Sequence, residues 1–448
     1  MSSLTTDTAY FNSATYTAQP NAGNTSIAGI QIGSGNTSGT LVITETVLSI
    51  GSSGILKDVS SGSATISGAG AASIKLGANQ NWANNSSTAL TVGTSTNVIT
   101  NFGNITPFTL TFSGSGSGAT TVNSIIQDGG AIGKTAVVVN TTGGGTTFLK
   151  GVNTFTGGLT IQSGIVQANG ATALGGATGA VTFGTGSAAT NTLQFNGGGQ
   201  TYANAISVLA NDTTTLNVVA GGQTFTLSGN ITGSGNLVVA GSLSTSIMAF
   251  NGANTYTGTT SVTAGVLKAG VASVGGTSGA FGLNSAITMS NTLGAALNIT
   301  GFNTQIGSIT GGGSTGGWVT LGAATLTTGG DNSSPAAYAG IISGTNGGLT
   351  KIGSGTQTLS GSNTYTGLTT VSAGTLLSGS NNVFADASSI NVNGGTLDMN
   401  SRTDTLNVVT LTNGSIVGTS GVLTGTGGYA MQNGPGSASR GGSGVALT

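Results

Sequence analysis

The sequence predicts an all-β chain wound as a parallel solenoid, an elongated rod. Three observations predict it. Short apolar runs alternate with polar residues and stop at Gly or Asn. Two motifs recur three times in the same order. The composition is rich in Gly and β-branched residues and almost free of charge.

The strand signal comes first. Leu110 and Phe112, Leu159 and Ile161, and Leu349 and Ile352 sit among Thr, Ser and Gly. Each run lasts about four to six residues before a turn residue ends it. No stretch carries the three-and-four apolar spacing of a helix. A β-sandwich would also give short strands, but it would not naturally repeat one ordered pair of motifs.

The repeats decide the architecture. Asn153-Thr154-Phe155-Thr156-Gly157 ends eleven positions on at Gly164. Asn254-Thr255-Tyr256-Thr257-Gly258 ends at Gly265, and Asn363-Thr364-Tyr365-Thr366-Gly367 ends at Gly374. The starts lie 101 and 109 residues apart. A second motif follows each: Leu193-Gln194-Phe195-Asn196, Leu297-Asn298-Ile299-Thr300 and Leu397-Asp398-Met399-Asn400. The order is constant while the spacing drifts, as expected when loops vary between fixed strands. In a solenoid each coil stacks on the last at about 4.8 Å, with Gly and Asn at corners that need positive φ. Coils of roughly 20 to 25 residues would give about 18 to 22 of them.

The expected organisation is degenerate coils over 1–100, a repeat solenoid over 101–426, and a Gly/Ser-rich tail over 427–448.

Composition excludes several function classes. The 448 residues include 8 Lys plus Arg, 9 Asp plus Glu, no His and no Cys, for a net charge of −1. Without His, Ser-His-Asp and Cys-His catalysis is impossible, as are His/Cys zinc sites. Paired-carboxylate chemistry needs two neighbouring acids. Only Asp398 and Asp404 lie close, with Arg402 between them, and an ion pair or capped turn explains them. Eight scattered cations make no phosphate-binding patch, so nucleic acid is not a partner. No run reaches the roughly 18 apolar residues of a membrane helix. The first residues, Met1-Ser2-Ser3-Leu4, lack the basic and apolar regions of a signal peptide. The expectation is no catalytic, metal or cofactor-binding residue, and no enzyme.

Three motif-like features carry little. Gly133-Lys134-Thr135 resembles a phosphate loop, but Asp128 stands where its first Gly should, and Ala136-Val137-Val138-Val139 reads as a strand. Asp331 after Gly329-Gly330 is a solitary echo of calcium-binding coils. Asn24-Thr25-Ser26 and Asn85-Ser86-Ser87 match glycosylation acceptors by composition. Trp82 and Trp318 read as buried anchors before sugar-stacking platforms.

Gly340-Ile341-Ile342-Ser343-Gly344, Gly348-Leu349-Thr350-Lys351, Gly353-Ser354-Gly355-Thr356 and Leu359-Ser360-Gly361 run into the third Asn-Thr-Tyr-Thr-Gly. This stretch resembles the autotransporter-associated β-strand repeat of bacterial passenger domains and large surface proteins. The resemblance is strong over 340–376, clear at 148–168 and 231–268, and diffuse over the first 100 residues. It implies a right-handed parallel β-helix that is secreted or displayed on the bacterial surface, and no single activity. No translocator barrel is visible in the Gly-rich 427–444.

Open solenoid ends need covering, and charge to protect them is scarce. The first expectation is therefore a self-assembling subunit of a surface fibre or layer, joined head to tail to copies of itself. Tyr429, Met431, Val445 and Leu447 in the tail are the candidate subunit contacts, by strand addition. The alternative is a monomeric adhesin rod that binds glycans or host surfaces. A phage or pilus-like fibre is a second alternative.

Overall fold

Alternation along each short strand puts one set of side chains inside and the next outside, and parallel stacking lines these sets into ladders. In the computed structural model every described strand pairing is parallel, and no helix occurs among the described residues. The structure describes residues 4–11, 25–43, 47–68, 71–101, 103, 105–432 and 446–447. The molecule is a parallel β-solenoid.

The chain forms two compact units, Met1–Asn217 and Val218–Thr448. Strand Val98–Thr100 pairs with Ile125–Gln127, and strand Val422–Met431 pairs with Thr403–Val417.

In the first unit, Val137, Leu159, Val181 and Ile206 stand in register on successive strands. Beside them run Val139, Ile161, Phe183 and Val208. All eight are buried. In the second unit the corresponding ladders are Leu237–Thr260–Ile287–Ile309 and Leu326–Leu349–Thr369–Ile390–Val409. Burying each Leu, Ile or Val contributes about 1.5–3 kcal/mol, and Thr260 and Thr369 interrupt these apolar rows.

Coil length varies more than expected. Thr146 pairs with Ile165, 19 residues on, whereas Leu90 pairs with Thr120, 30 residues on. The described residues make about 17 turns, because surface loops lengthen many coils, and the register shifts within some pairings, as between Val139 and Asn140. One expected alternation shifts. In strand Gly348–Lys351 the inward residues are Leu349 and Lys351, and Ile352 is only half-buried. Period two counts 349, 351; the apolar character of Ile352 was the misleading signal.

Candidate functional site

The repeated motif residues converge inside each repeat. Asn153, Asn254 and Asn363 are buried, and so are Phe155, Tyr256 and Tyr365. Each Asn joins three coils through its amide. The Asn153 Oδ1 accepts the Ile126 N–H at 2.9 Å and its Nδ2 donates to the Ala173 carbonyl at 2.9 Å. Asn254 does the same with Ile231 at 2.7 Å and Ala280 at 2.6 Å. Asn363 does so with Ile342 at 2.8 Å and Val383 at 2.8 Å. A buried backbone group without a partner costs about 1–3 kcal/mol, so a residue offering both acceptor and donor is required here.

The glycines have two separate causes. A side chain at Gly157, Gly258 or Gly367 would collide with the carbonyls of Thr135, Gly235 and Gly347 in the coil below. These positions need close approach. Gly164, Gly265 and Gly374 have φ of 89°, 71° and 59°, where L side chains are strained. The second motif proves to be the next coil of the same strand stack. Leu193 lies on Val166, Leu297 on Leu267 and Leu397 on Leu376.

The aromatic position differs among repeats. The Tyr256 hydroxyl bonds the Thr260 hydroxyl at 2.8 Å, and Thr260 bonds Ser285 at 2.9 Å. The Tyr365 hydroxyl bonds Thr369 at 2.6 Å. Phe155 has no hydroxyl, and the residue four positions on is Leu159. The interrupting threonines are thus partners of buried tyrosines. Burial pushes both tyrosine hydroxyls well above their ordinary pKa, against the effect of their Thr hydrogen bonds.

Sequence reasoning missed the residues that complete this cluster. They are Ala173-Leu174-Gly175, Ala280-Phe281-Gly282 and Val383-Phe384-Ala385, which carry the carbonyls that the Asn amides reach. Their signal was present but offset. A small turn closed by Val274 and Ser278 lengthens the second repeat at this point.

Several of the described charged groups bind backbone. Buried Asp212 accepts the Gly186 N–H at 2.7 Å and the Ala189 N–H at 2.6 Å. Buried Asp404 accepts the N–H groups of Val383 at 2.7 Å, Phe384 at 3.1 Å and Thr405 at 2.9 Å. Burial raises the Asp404 carboxyl to about 6, although those three donors favour its charged form. Asp398 instead accepts the Asn400 N–H at 2.7 Å, so this acid caps a turn and the two carboxylates serve different loops. Asp128 binds the N–H groups of Thr135 at 2.8 Å and Thr156 at 3.1 Å. Thr135–Thr141 is a strand, as its sequence implied. Asp331 accepts from the Ser308 hydroxyl at 2.7 Å and the Ser333 N–H at 3.1 Å.

Two lysines are buried. Lys57 donates to the carbonyls of Ser61 at 3.3 Å and Thr88 at 3.2 Å, and to the Thr88 hydroxyl at 2.7 Å. Burial lowers its pKa to about 8. Lys351 donates to the carbonyls of Ile352 at 2.6 Å, Gly353 at 3.0 Å and Ala373 at 3.3 Å. Burial lowers its pKa too, with nearby Asp331 opposing the shift. Among the described residues no group of three or more His, Cys, Asp or Glu could hold a metal ion.

The passenger-associated-transport-repeat family matches the chain at residues 140–168, 232–269 and 349–377, and each match contains one Asn-aromatic-Gly cluster. The chain is an autotransporter-passenger-like repeat protein. Over 191 residues it is 39% identical to the adhesin BmaC autotransporter of Brucella suis biovar 1 (strain 1330). That match covers 40% of this chain and 5% of the relative, so the chain spans a small part of the relative's length. No solved structure matches.

The two tryptophans of this passenger-like chain have opposite settings. Trp82 is fully buried, edge-on to Phe112 at 5.7 Å, and donates to the Gln80 Oε1 at 2.9 Å. Trp318 is 39% exposed and donates to the Gly313 carbonyl at 3.2 Å. Asn85 accepts the Ser115 N–H at 3.0 Å, and Asn24 lies outside the described residues. In the tail, Tyr429 and Met431 belong to strand Val422–Met431, and the Tyr429 hydroxyl donates to the Leu423 carbonyl at 2.6 Å. Leu447 pairs with Leu423 of the same chain, and Val445 lies outside the described residues. Among the described residues no helix is long and apolar enough to cross a membrane.

Proposed function

We propose that this chain is a stretch of a bacterial surface adhesin, non-enzymatic and exposed or secreted, whose solenoid presents a contact surface for host molecules. The observation that carries this reading is the 39% identity over 191 residues to a protein named as an autotransporter adhesin. The chemistry agrees. There is no His or Cys, and the buried acids are used as loop acceptors. Fibre assembly has weaker support. The described end of the tail pairs with strand Val422–Met431 of its own chain, which is the strand addition that a head-to-tail fibre would have made between copies.

Display of the full chain on a non-adherent bacterium tests the reading. Adherence to cultured epithelial cells or matrix proteins should rise at least several-fold over the vector control. Adherence equal to the control would overturn it. Light scattering across a concentration series should show no growth; filaments would restore the assembly reading.

A further inference from the structure

The geometry points to a binding site for a neutral glycan on one outward face of the second unit, centred on Trp318. This inference rests on the adhesin reading and names the ligand class. Strands Val266–Ala269, Ala296–Asn298, Trp318–Thr320 and Ile342–Ser343 stack in parallel register. Leu267, Leu297, Val319 and Ile342 point inward and are buried. Their neighbours Lys268, Asn298, Thr320 and Ser343 therefore form an outward row, with about 4.8 Å between successive members.

Trp318 faces outward two residues before Thr320, about 7 Å away along the strand. Its Nε1–H is held by the Gly313 carbonyl at 3.2 Å, which orients the half-exposed indole. The site is an open face: the groove lined by Ala272, Gly301, Asn303, Ala323 and Ala324 lies past the far ends of these strands and does not include Trp318.

A sugar ring has an apolar C–H face and a rim of hydroxyls. A fixed indole suits the first, since aromatic rings offer a large amphipathic surface. Amide and hydroxyl groups at strand spacing suit the second. Among these residues Lys268 is the one charge, so a neutral sugar fits better than a polyanion. An exposed indole is rare in this chain, which has two tryptophans, one of them fully buried.

The two settings also supply the assay. Trp82 is shielded, so acrylamide quenching of the full chain reports on Trp318. A panel of immobilised neutral glycans should yield at least one ligand, and that ligand should protect the indole from quenching. Trp318→Ala should weaken binding at least tenfold and Thr320→Val severalfold, with Trp82 emission and the melting profile unchanged. Protection in the unmodified chain needs no variant, so misfolding of Trp318→Ala would not remove the test. Undiminished binding by Trp318→Ala overturns the site. So does binding confined to anionic glycans and abolished by Lys268→Ala. If no glycan binds yet displayed chain still adheres, the site fails and the adhesin reading stands. If neither occurs, both fail.

Discussion

The first repeat and the two later ones solve one packing problem in different ways. All three bury an Asn clamp and an aromatic ring at the same corner. In the first, Phe155 precedes an apolar ladder residue, Leu159. In the others a tyrosine hydroxyl enters the core, and the ladder residue becomes a threonine. A buried hydroxyl without a partner costs about 1–3 kcal/mol, so the aromatic and the ladder residue change together. Position is conserved among the repeats by shape, and polarity is settled pairwise.

The largest expected effect lies in what the repeats share. Asn153→Ala and Asn254→Ala each orphan one N–H and one carbonyl and should cost about 2–5 kcal/mol locally. Asn363→Ala should cost less, about 1–3 kcal/mol, because the Val383 carbonyl keeps the backbone N–H of residue 363 at 3.0 Å. Hydrogen exchange should show the Ile126, Ile231 and Ile342 amides losing protection in their respective variants. Similar protection in wild type and variant would mean the clamp is dispensable.

The next effect tests the difference. Phe155→Tyr places a hydroxyl against Leu159 and should cost about 1–3 kcal/mol. Adding Leu159→Thr should recover part of that loss, because a double-mutant cycle isolates the pair. Additive losses in denaturant melts would break the pairwise account.

Smaller still are the reverse changes. Tyr365→Phe should cost about 1 kcal/mol, by removing the hydrogen bond recorded for the Thr369 hydroxyl. Tyr256→Phe should cost less, since Thr260 keeps Ser285. An inverted order would show that the Ser285 bond does not compensate.

The least effect concerns pH at the third repeat. Asp404 has its carboxyl raised to about 6 in the folded chain. The native state therefore binds more protons than the unfolded one between roughly pH 4 and 6, and stability from this group rises as pH falls through that window. The gain from pH 7 to 5 should be on the order of 1 kcal/mol and should vanish in Asp404→Asn. Exchange of the Val383 and Phe384 amides at both pH values measures it; a pH response unchanged in the variant would assign it to another group.

Much of this was legible without coordinates. Repetition alone selected Asn153, Phe155, Gly157, Gly164 and their counterparts, because every repeat must rebuild the same corner. Their partners were hidden. Ala173, Ala280 and Val383 lie in the following coil, 20 residues on in the first and third repeats but 26 in the second, where an inserted turn lengthens the loop. Trp82 and Trp318 look alike in sequence, and nothing local distinguishes the buried ring from the exposed one. Inward-facing Lys351 was hidden for a related reason. Its charge reads as surface until the carbonyls of Ile352, Gly353 and Ala373 are seen around its ammonium.

The sequence by itself determined the strand period, the turn residues and the parallel stacking of coils, because alternation and positive-φ glycines are local properties. The tertiary structure alone decided which coil partner each buried polar group meets, and which tryptophan reaches solvent. Those choices depend on register across about 20 to 30 residues, and loops of unequal length erase that register from the sequence.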